Sequence, residues 1–143
     1  IKDIPVVFSA VTDPVGAELV LSLDRGEKNV TGYSDMTPVK KQIELLTKIK
    51  KINKLGHVYC SSEANAITLA NMAREACKEM GIEFVESTVS NSAEVKQATQ
   101  SIIKRVDGIY VCTDNTVVSA LSAVTDVAMK NNIPIMSADP SSA

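Results

Sequence analysis

Tryptophan is absent from this sequence, aromatic residues make up only 3% of it, and it holds a single histidine, His57. So few aromatics exclude a base-stacking platform or an aromatic-lined sugar site built from these residues alone. His57 lies inside an apolar run, so Ser-His-Asp and Cys-His arrangements lack a histidine at a loop, and no set of residues has metal-ligand spacing. A structural role is expected for His57, and neither a catalytic nor a metal site is expected. The three cysteines, Cys60, Cys77 and Cys112, are odd in number, widely spaced and embedded in apolar patterns. That argues against a disulfide framework or a zinc site and for buried thiols.

Charge of one sign is missing too. The formal net charge is -2, with 15 basic and 17 acidic residues interspersed, which leaves no electrostatic footprint for nucleic acid and no basic face for an anionic membrane. No stretch approaches the roughly 18 apolar residues of a membrane span, and no charged-then-apolar leader opens the chain. No G-x-G-x-x-G opens a helix after a strand and no G-x-x-x-x-G-K-[ST] occurs, so no nucleotide cofactor is expected. Asn29-Val30-Thr31 matches a glycosylation sequon, but so short a pattern is read here as turn chemistry. The sequence begins at Ile1 without Met and reads as a strand from Ile4, so it is expected to be a slice of a longer protein.

With 45% hydrophobic and 22% charged residues, the composition is that of a soluble domain with a real core. Ile4 to Phe8 is a short β-rich run, Gly16 to Leu23 a possible helix, and Val30 to Ser34 an extended segment. Thr37-Pro38 has the form of a helix start, Thr as N-cap and Pro at the first position, before an apolar stripe of Val39, Ile43, Leu46 and Ile49. From Leu55 onward strand and helix alternate: strands 55–60, 82–89, 108–112 and 133–137, helices 63–80, 92–105 and 116–131. Ala66, Leu69, Ala73, Cys77 and Met80 share one face of the first of these helices, and Val117, Leu121, Val124 and Ala128 one face of the last. Gly81 has the position of a C-terminal cap, and Asn91 or Ser92 that of an N-cap. Apolar strands joined by crossover helices predict an α/β fold with a three-layer, doubly wound parallel sheet. Asp3 to Ala10 is echoed by Asn132 to Ala138, each soon followed by Asp-Pro, and the two are read as equivalent strands of related units.

In such a sheet the ligand crevice lies beyond the carboxyl ends of the strands, where strand order reverses. The strand ends here empty into Ser61-Ser62-Glu63-Ala64-Asn65, Thr113-Asp114-Asn115-Thr116 and Ser137-Ala138-Asp139-Pro140-Ser141-Ser142. With strand 82–89 outside strand 55–60 and strand 108–112 on its other side, the first two loops flank the reversal. Helix N-termini there offer N–H groups to an anionic group, and Asp114, Asp139 or Glu63 an acceptor for an ammonium, which suits an amino acid zwitterion. Ser61, Ser62, Asp114, Asn115 and Thr116 are equally good N-cap residues, and capping alone is the competing reading of each.

The run Pro5-Val6-Val7-Phe8-Ser9-Ala10-Val11-Thr12-Asp13-Pro14-Val15-Gly16-Ala17 resembles the ABC-importer substrate-binding proteins of the tryptophan-binding type. Asn29 to Gly32 with Ser34-Asp35, Gln42 to Leu46, Ser62 to Asn65 and Pro134 to Ser141 carry the same likeness. The resemblance implies the type I periplasmic-binding-protein fold, whose lobes are flavodoxin-like or Rossmann-like. It implies a remnant of an N-terminal lobe over 1–29, a hinge crossover over 30–36 and a C-terminal α/β lobe over 37–143. It further implies an extracytoplasmic protein, periplasmic or a membrane-anchored lipoprotein, that closes on a small ligand, an amino acid with aromatics favoured, and serves an ABC permease. By position, Thr12 and Asp13 would bind from the N-lobe side, and Ser62, Glu63, Asn65, Asp114, Asn115 and Asp139 from the C-lobe side, Asp139 being preferred for the ammonium. The N-terminal apolar strand, deprived of neighbours in a slice, is expected to pair with the C-lobe sheet edge or with a second copy as a homodimer. Two other classes use the same fold: a stand-alone flavodoxin-like enzyme or phosphorelay domain, and a sugar-binding or repressor relative, although no helix-turn-helix precedes Ile1.

Overall fold

The computed structural model describes residues 3–26 and 29–139. They fall into two compact units that divide between Thr37 and Pro38.

The first unit holds a two-stranded parallel sheet, β1 (Val6–Phe8) and β2 (Val30–Gly32), in the register Val6 to Val30 and Phe8 to Gly32. The strands approach so closely that a Cβ on Gly32 would run into the Phe8 carbonyl and ring. β1 is therefore not left without a neighbour, and the expected pairing with the edge of the other sheet does not form: its partner is β2. The helix expected over 16–23 is also absent. Residues 14–18 form turns, with one helical turn closed by Ala17 N–H to the Asp13 carbonyl and Leu19 N–H to the Pro14 carbonyl. Glu18 then adopts a left-handed φ of 57°, which ends helical propagation, and Leu21 and Leu23 remain exposed.

The second unit is α1 (Val39–Ile49), β3 (Lys54–Cys60), α2 (Ala64–Met80), β4 (Glu83–Val89), α3 (Val95–Ile102), β5 (Gly108–Val111), α4 (Asn115–Ser119), α5 (Leu121–Lys130) and β6 (Ile135–Ser137). Its sheet is wholly parallel in the order β4-β3-β5-β6; the place of β3 between β4 and β5 is the one read from the sequence, and β6 adds beyond β5. Alternation along the strands sends Leu55, Tyr110 and Cys112 to one face, where they pack with Val39, Ile43, Leu46, Leu69, Ala73 and Cys77 of α1 and α2. Val58, Cys60, Val85, Ile109 and Val111 face the other way, onto Val95, Ile102, Val117, Val124 and Ala128 of α3, α4 and α5. This gives the three layers expected of strands buried on both faces.

Differences from the expected elements sit at their ends. Pro38, not Thr37, holds the N-cap position of α1, with ψ 69° outside the helical range. The helix starts one residue later than expected, and the buried Thr37 Oγ1 caps nothing. Ile49, expected in the α1 stripe, is exposed because the chain turns extended at Lys50, and Ile52 enters the core instead. The segment 92–105 is an α-helix only over Val95–Ile102, with 3₁₀ turns at Ser92–Glu94 and Ile103–Arg105. Asn91, of the two candidates, is its cap, accepting from Ala93 N–H at 3.0 Å, while Glu94 accepts from Ser90 N–H at 2.8 Å and from Asn91 Nδ2–H at 2.9 Å. The single helix expected over 116–131 is broken at Ala120, where N–H bonds tighten to the 3₁₀ pattern without a Gly or Pro to mark it. Gly81 closes α2 in the left-handed conformation, φ 67°, as its position predicted.

His57 is fully buried in β3. Its ring lies 5.4 to 5.7 Å from those of Tyr59, Phe84 and Tyr110. Nδ1–H donates to the Tyr110 carbonyl at 2.8 Å, and Nε2 has no partner. Burial pushes its pKa down to about 4, against the opposing pull of the Tyr110 carbonyl and Glu86. Glu86 is itself paired with Arg74 at 2.6 Å. The thiols are buried, and burial pushes Cys77 up to about 11 and Cys112 up to about 12, so both stay protonated and inert.

Two outcomes follow from this core. Since the unfolded chain protonates His57 near its ordinary 6.5 and the folded chain only near 4, stability is retained above about pH 6.5. It falls as pH drops toward 4, by about 3 kcal/mol from this group. Urea melts of His57→Phe should lack that component of the pH profile. Leu69→Ala, at a position with no exposure, should cost about 2–5 kcal/mol in the same melts.

Candidate functional site

β3 runs outward to β4 on one side and β5 lies on the other, so strand order reverses between β3 and β5. The loops after them, 61–63 and 112–114, stand at that reversal, and the end of β6 is one strand further along. Ser62, Glu63, Asn65, Asp114 and Asn115 are brought together here, as the sequence placed them.

Two carboxylates tie the corner together. Asp114, 1% exposed, accepts from Cys60 N–H at the end of β3 at 2.6 Å and, through its other oxygen, from Val117 N–H in the first turn of α4 at 2.8 Å. Glu63 reaches across from the β3–α2 loop. Its Oε1 accepts from Thr116 N–H at 3.0 Å and Oγ1–H at 2.6 Å, and its Oε2 from Asn115 N–H at 3.2 Å and Nδ2–H at 3.0 Å. Asn65 Nδ2–H donates to the Thr113 carbonyl at 2.9 Å, a third bridge between the same loops. Ser61 N–H bonds the Val89 carbonyl at 3.1 Å, fixing the loop to the end of β4.

The pKa values of the two acids are pushed in opposite directions. Burial raises the Glu63 carboxyl, but the hydrogen bonds from Thr116 and Asn115 outweigh it and hold the group below the usual carboxylate range. For Asp114 burial prevails over the N–H groups of Cys60 and Val117, and with the nearby Glu63 charge it lifts the carboxyl above its ordinary value. The Ser62 hydroxyl, 3.1 Å from Cys60 Sγ, holds that thiol below its usual value against burial.

The N-terminus of α4 is thereby answered by protein carboxylates at residues 115, 116 and 117. It does not offer the free donors that the sequence suggested for both helices. α2 differs: Glu63 occupies its N-cap position, but no side chain caps it, and Ser61 and Ser62 beside it are exposed. Asp139 is half-buried just past β6, its N–H on Ser137 Oγ at 3.3 Å, and Ala138 N–H holds this end to the Val111 carbonyl at 2.8 Å. Pro140, Ser141 and Ser142 lie outside the described residues. Thr116 and the buried, unpartnered Thr113 Oγ1 were not singled out from the sequence as binding residues. Only the adjacency of Thr, Asp and Asn in one loop hinted at them.

Thr12 and Asp13 belong to the first unit. Thr12 is buried and its carbonyl accepts from Ser34 Oγ–H at 2.8 Å. Asp13 Oδ1 accepts from Gly16 N–H at 2.8 Å, and a Cβ on Gly16 would collide with that carboxylate. Ala10, two residues before Thr12, holds a left-handed φ of 54°, which costs of order 1–2 kcal/mol in a non-glycine residue.

Residues 1–143 match the family described as "ABC transporter substrate binding protein". Among curated relatives, the "Tyrosine-binding protein" of Clostridioides difficile (strain R20291) is 41% identical over 142 residues, covering 99% of this chain and 41% of that protein. A conserved domain protein of Vibrio cholerae O1 biovar El Tor, known by crystal structure, is 43% identical with a TM-score of 0.94, over 99% of this chain and 48% of that one. An ABC domain from Streptococcus pneumonia solved in complex with L-Trp is 31% identical with a TM-score of 0.91, again over 99% and 48%. The chain spans less than half the length of each.

Replacing Asp114 with Ala leaves two buried N–H groups unanswered, at the end of β3 and in α4. A loss of about 2–4 kcal/mol is expected, read as a shift of the urea midpoint at constant m-value. Asp114→Asn, keeping one acceptor oxygen, should fall between the two. An unshifted midpoint for the Ala variant would remove the carboxylate from its structural role.

Proposed function

Because the chain belongs to the ABC transporter substrate-binding protein family, we propose that it supplies part of the binding site for an amino acid with an aromatic side chain. In this reading residues 1–29 belong to one lobe, 30–36 to a crossover and 37–143 to the other lobe of an extracytoplasmic, lipid-anchored or periplasmic protein that closes on its ligand and presents it to an ABC permease. The family is described as an ABC transporter substrate-binding protein and one relative as a tyrosine-binding protein, and the enzymatic and phosphorelay readings are set aside on that ground.

The observation that carries the proposal is the asymmetry of the strand-end corner. One helix N-terminus, that of α2, has no side-chain cap, while its neighbour is filled by carboxylates. An anionic group is favoured at the first and disfavoured at the second. Acids on the β5 and β6 side favour a cation. A zwitterion fits that polarity, with its carboxylate toward Ser62 and the start of α2 and its ammonium toward Asp139. Asn65, Asp114 and Asn115 line the space between them, Glu63 holding Asn115 in place, and Thr12 and Asp13 are assigned to the other lobe's contribution. The relatives support the aromatic class, since one is named for tyrosine and another was solved with L-Trp.

Titration calorimetry of a full two-lobed protein carrying this chain, against a panel of amino acids, tests the reading. Tight binding of an aromatic amino acid is expected, weakened about tenfold to a hundredfold by Asp139→Ala, as for loss of one charge-assisted hydrogen bond. Silence across the panel would reject the ligand class, and an unchanged affinity in the variant would remove Asp139 from the site.

A further inference from the structure

We infer that Glu63 is a positioning residue: its carboxylate locks the β5–α4 loop onto the β3–α2 loop and sets the polarity of the binding corner without itself contacting the ligand. The inference rests on the binding reading above and adds a role to it.

Both oxygens of Glu63 are committed. Each takes one backbone N–H and one side-chain donor, all from Asn115 and Thr116, more than fifty residues away in the chain. A carboxylate oxygen accepts about two hydrogen bonds, so little capacity remains for a ligand ammonium. The helix it holds needs holding. α4 is five residues long and ends at the break at Ala120, far below the length at which a helix sustains itself. Its first turn is pinned at Asn115 and Thr116 by Glu63 and at Val117 by Asp114. The first pin comes from the loop that carries Ser61 and Ser62, so a shift of either loop moves both.

The same contacts decide which way round a zwitterion sits. With the N–H groups of residues 115–117 already bonded to carboxylates, a ligand carboxylate arriving at α4 would find no donor there and would meet negative charge at close range. Glu63 is ionised at neutral pH, its hydrogen bonds holding it below the usual carboxylate range. The charged or titratable groups around it are Asp114, on the same loop as its donors, and the Cys112 thiol before that loop; no cation is paired with it among the described ion pairs. Exclusion of an anion at α4 decides which end of a zwitterion can face that helix. Glu63 thus acts on specificity through repulsion of the wrong orientation rather than through attraction of the right one.

The test uses the two-lobed protein, an aromatic amino acid that binds it, and the N-acetyl derivative of that amino acid, which has the carboxylate but no ammonium. Glu63→Gln keeps the shape but has one acceptor oxygen and no charge. It should weaken amino acid binding about tenfold or more and also shrink, by a similar factor, the preference for the amino acid over its N-acetyl derivative. Thr116→Val removes one donor and leaves the charge, so it should weaken binding without changing that preference. A Glu63→Gln protein with an unaltered preference, or a Thr116→Val protein whose binding is not weakened, would overturn the inference. If the unaltered protein binds no amino acid, the binding reading itself fails instead.

Discussion

The buried Asp114 carboxylate, held between the last N–H of β3 and the first turn of α4, is the interaction on which the candidate site depends. It fixes where one strand stops and the neighbouring helix starts, and every other contact at the corner is measured from that junction. A charge so deeply placed is costly unless its lone pairs are answered. Backbone N–H groups are good partners for it, because they cannot swing away as side chains can. Burial lifts its pKa above the ordinary carboxylate value although the N–H groups pull it down, so loss of either bond would raise the cost of the buried charge further.

Around this junction the fold makes a rigid frame and the loops make a polar edge. The parallel sheet carries an apolar core cluster on each face, and its parallel pairing directs the carboxyl ends of all four strands the same way. Loops that leave from fixed strand ends are themselves nearly fixed, and Glu63 and Asn65 remove most of the remaining freedom by bonding one loop to the next. Preordering of this kind lowers the entropy lost when a small ligand is bound. The sequence has few aromatic residues, and the corner is built instead from polar side chains and backbone N–H groups.

Much of the frame was legible in the sequence because it follows from period and punctuation. The stripes Ala66-Leu69-Ala73-Cys77 and Val117-Val124-Ala128 were recognisable at helical spacing, and Gly81 marked the end of α2. The place of β3 between β4 and β5 followed from short apolar strands and right-handed crossovers. The break at Ala120 was not legible, since nothing in the residues from Thr116 to Asn131 interrupts a helical pattern. Nor was the loss of the helix after Gly16, where a left-handed turn at Glu18 stops the helical turn and Leu21 and Leu23 are left in solvent.

By itself the sequence determined the layers, the parallel sheet, the buried thiols and histidine, and the gathering of Ser62, Glu63, Asn65, Asp114 and Asn115 at one end of the sheet. These depend on local spacing and on the fixed hand of strand–helix–strand connections, which one chain carries along its length. Only the tertiary structure decided what those polar residues do there. A carboxylate next to a helix start caps it or faces a ligand according to which donors come within about 3 Å. For Glu63 those donors arrive from Asn115 and Thr116, brought near by the pairing of β3 with β5. No pattern of neighbouring residues encodes a bond across fifty positions, because the partners meet only after the strands between them have found their register.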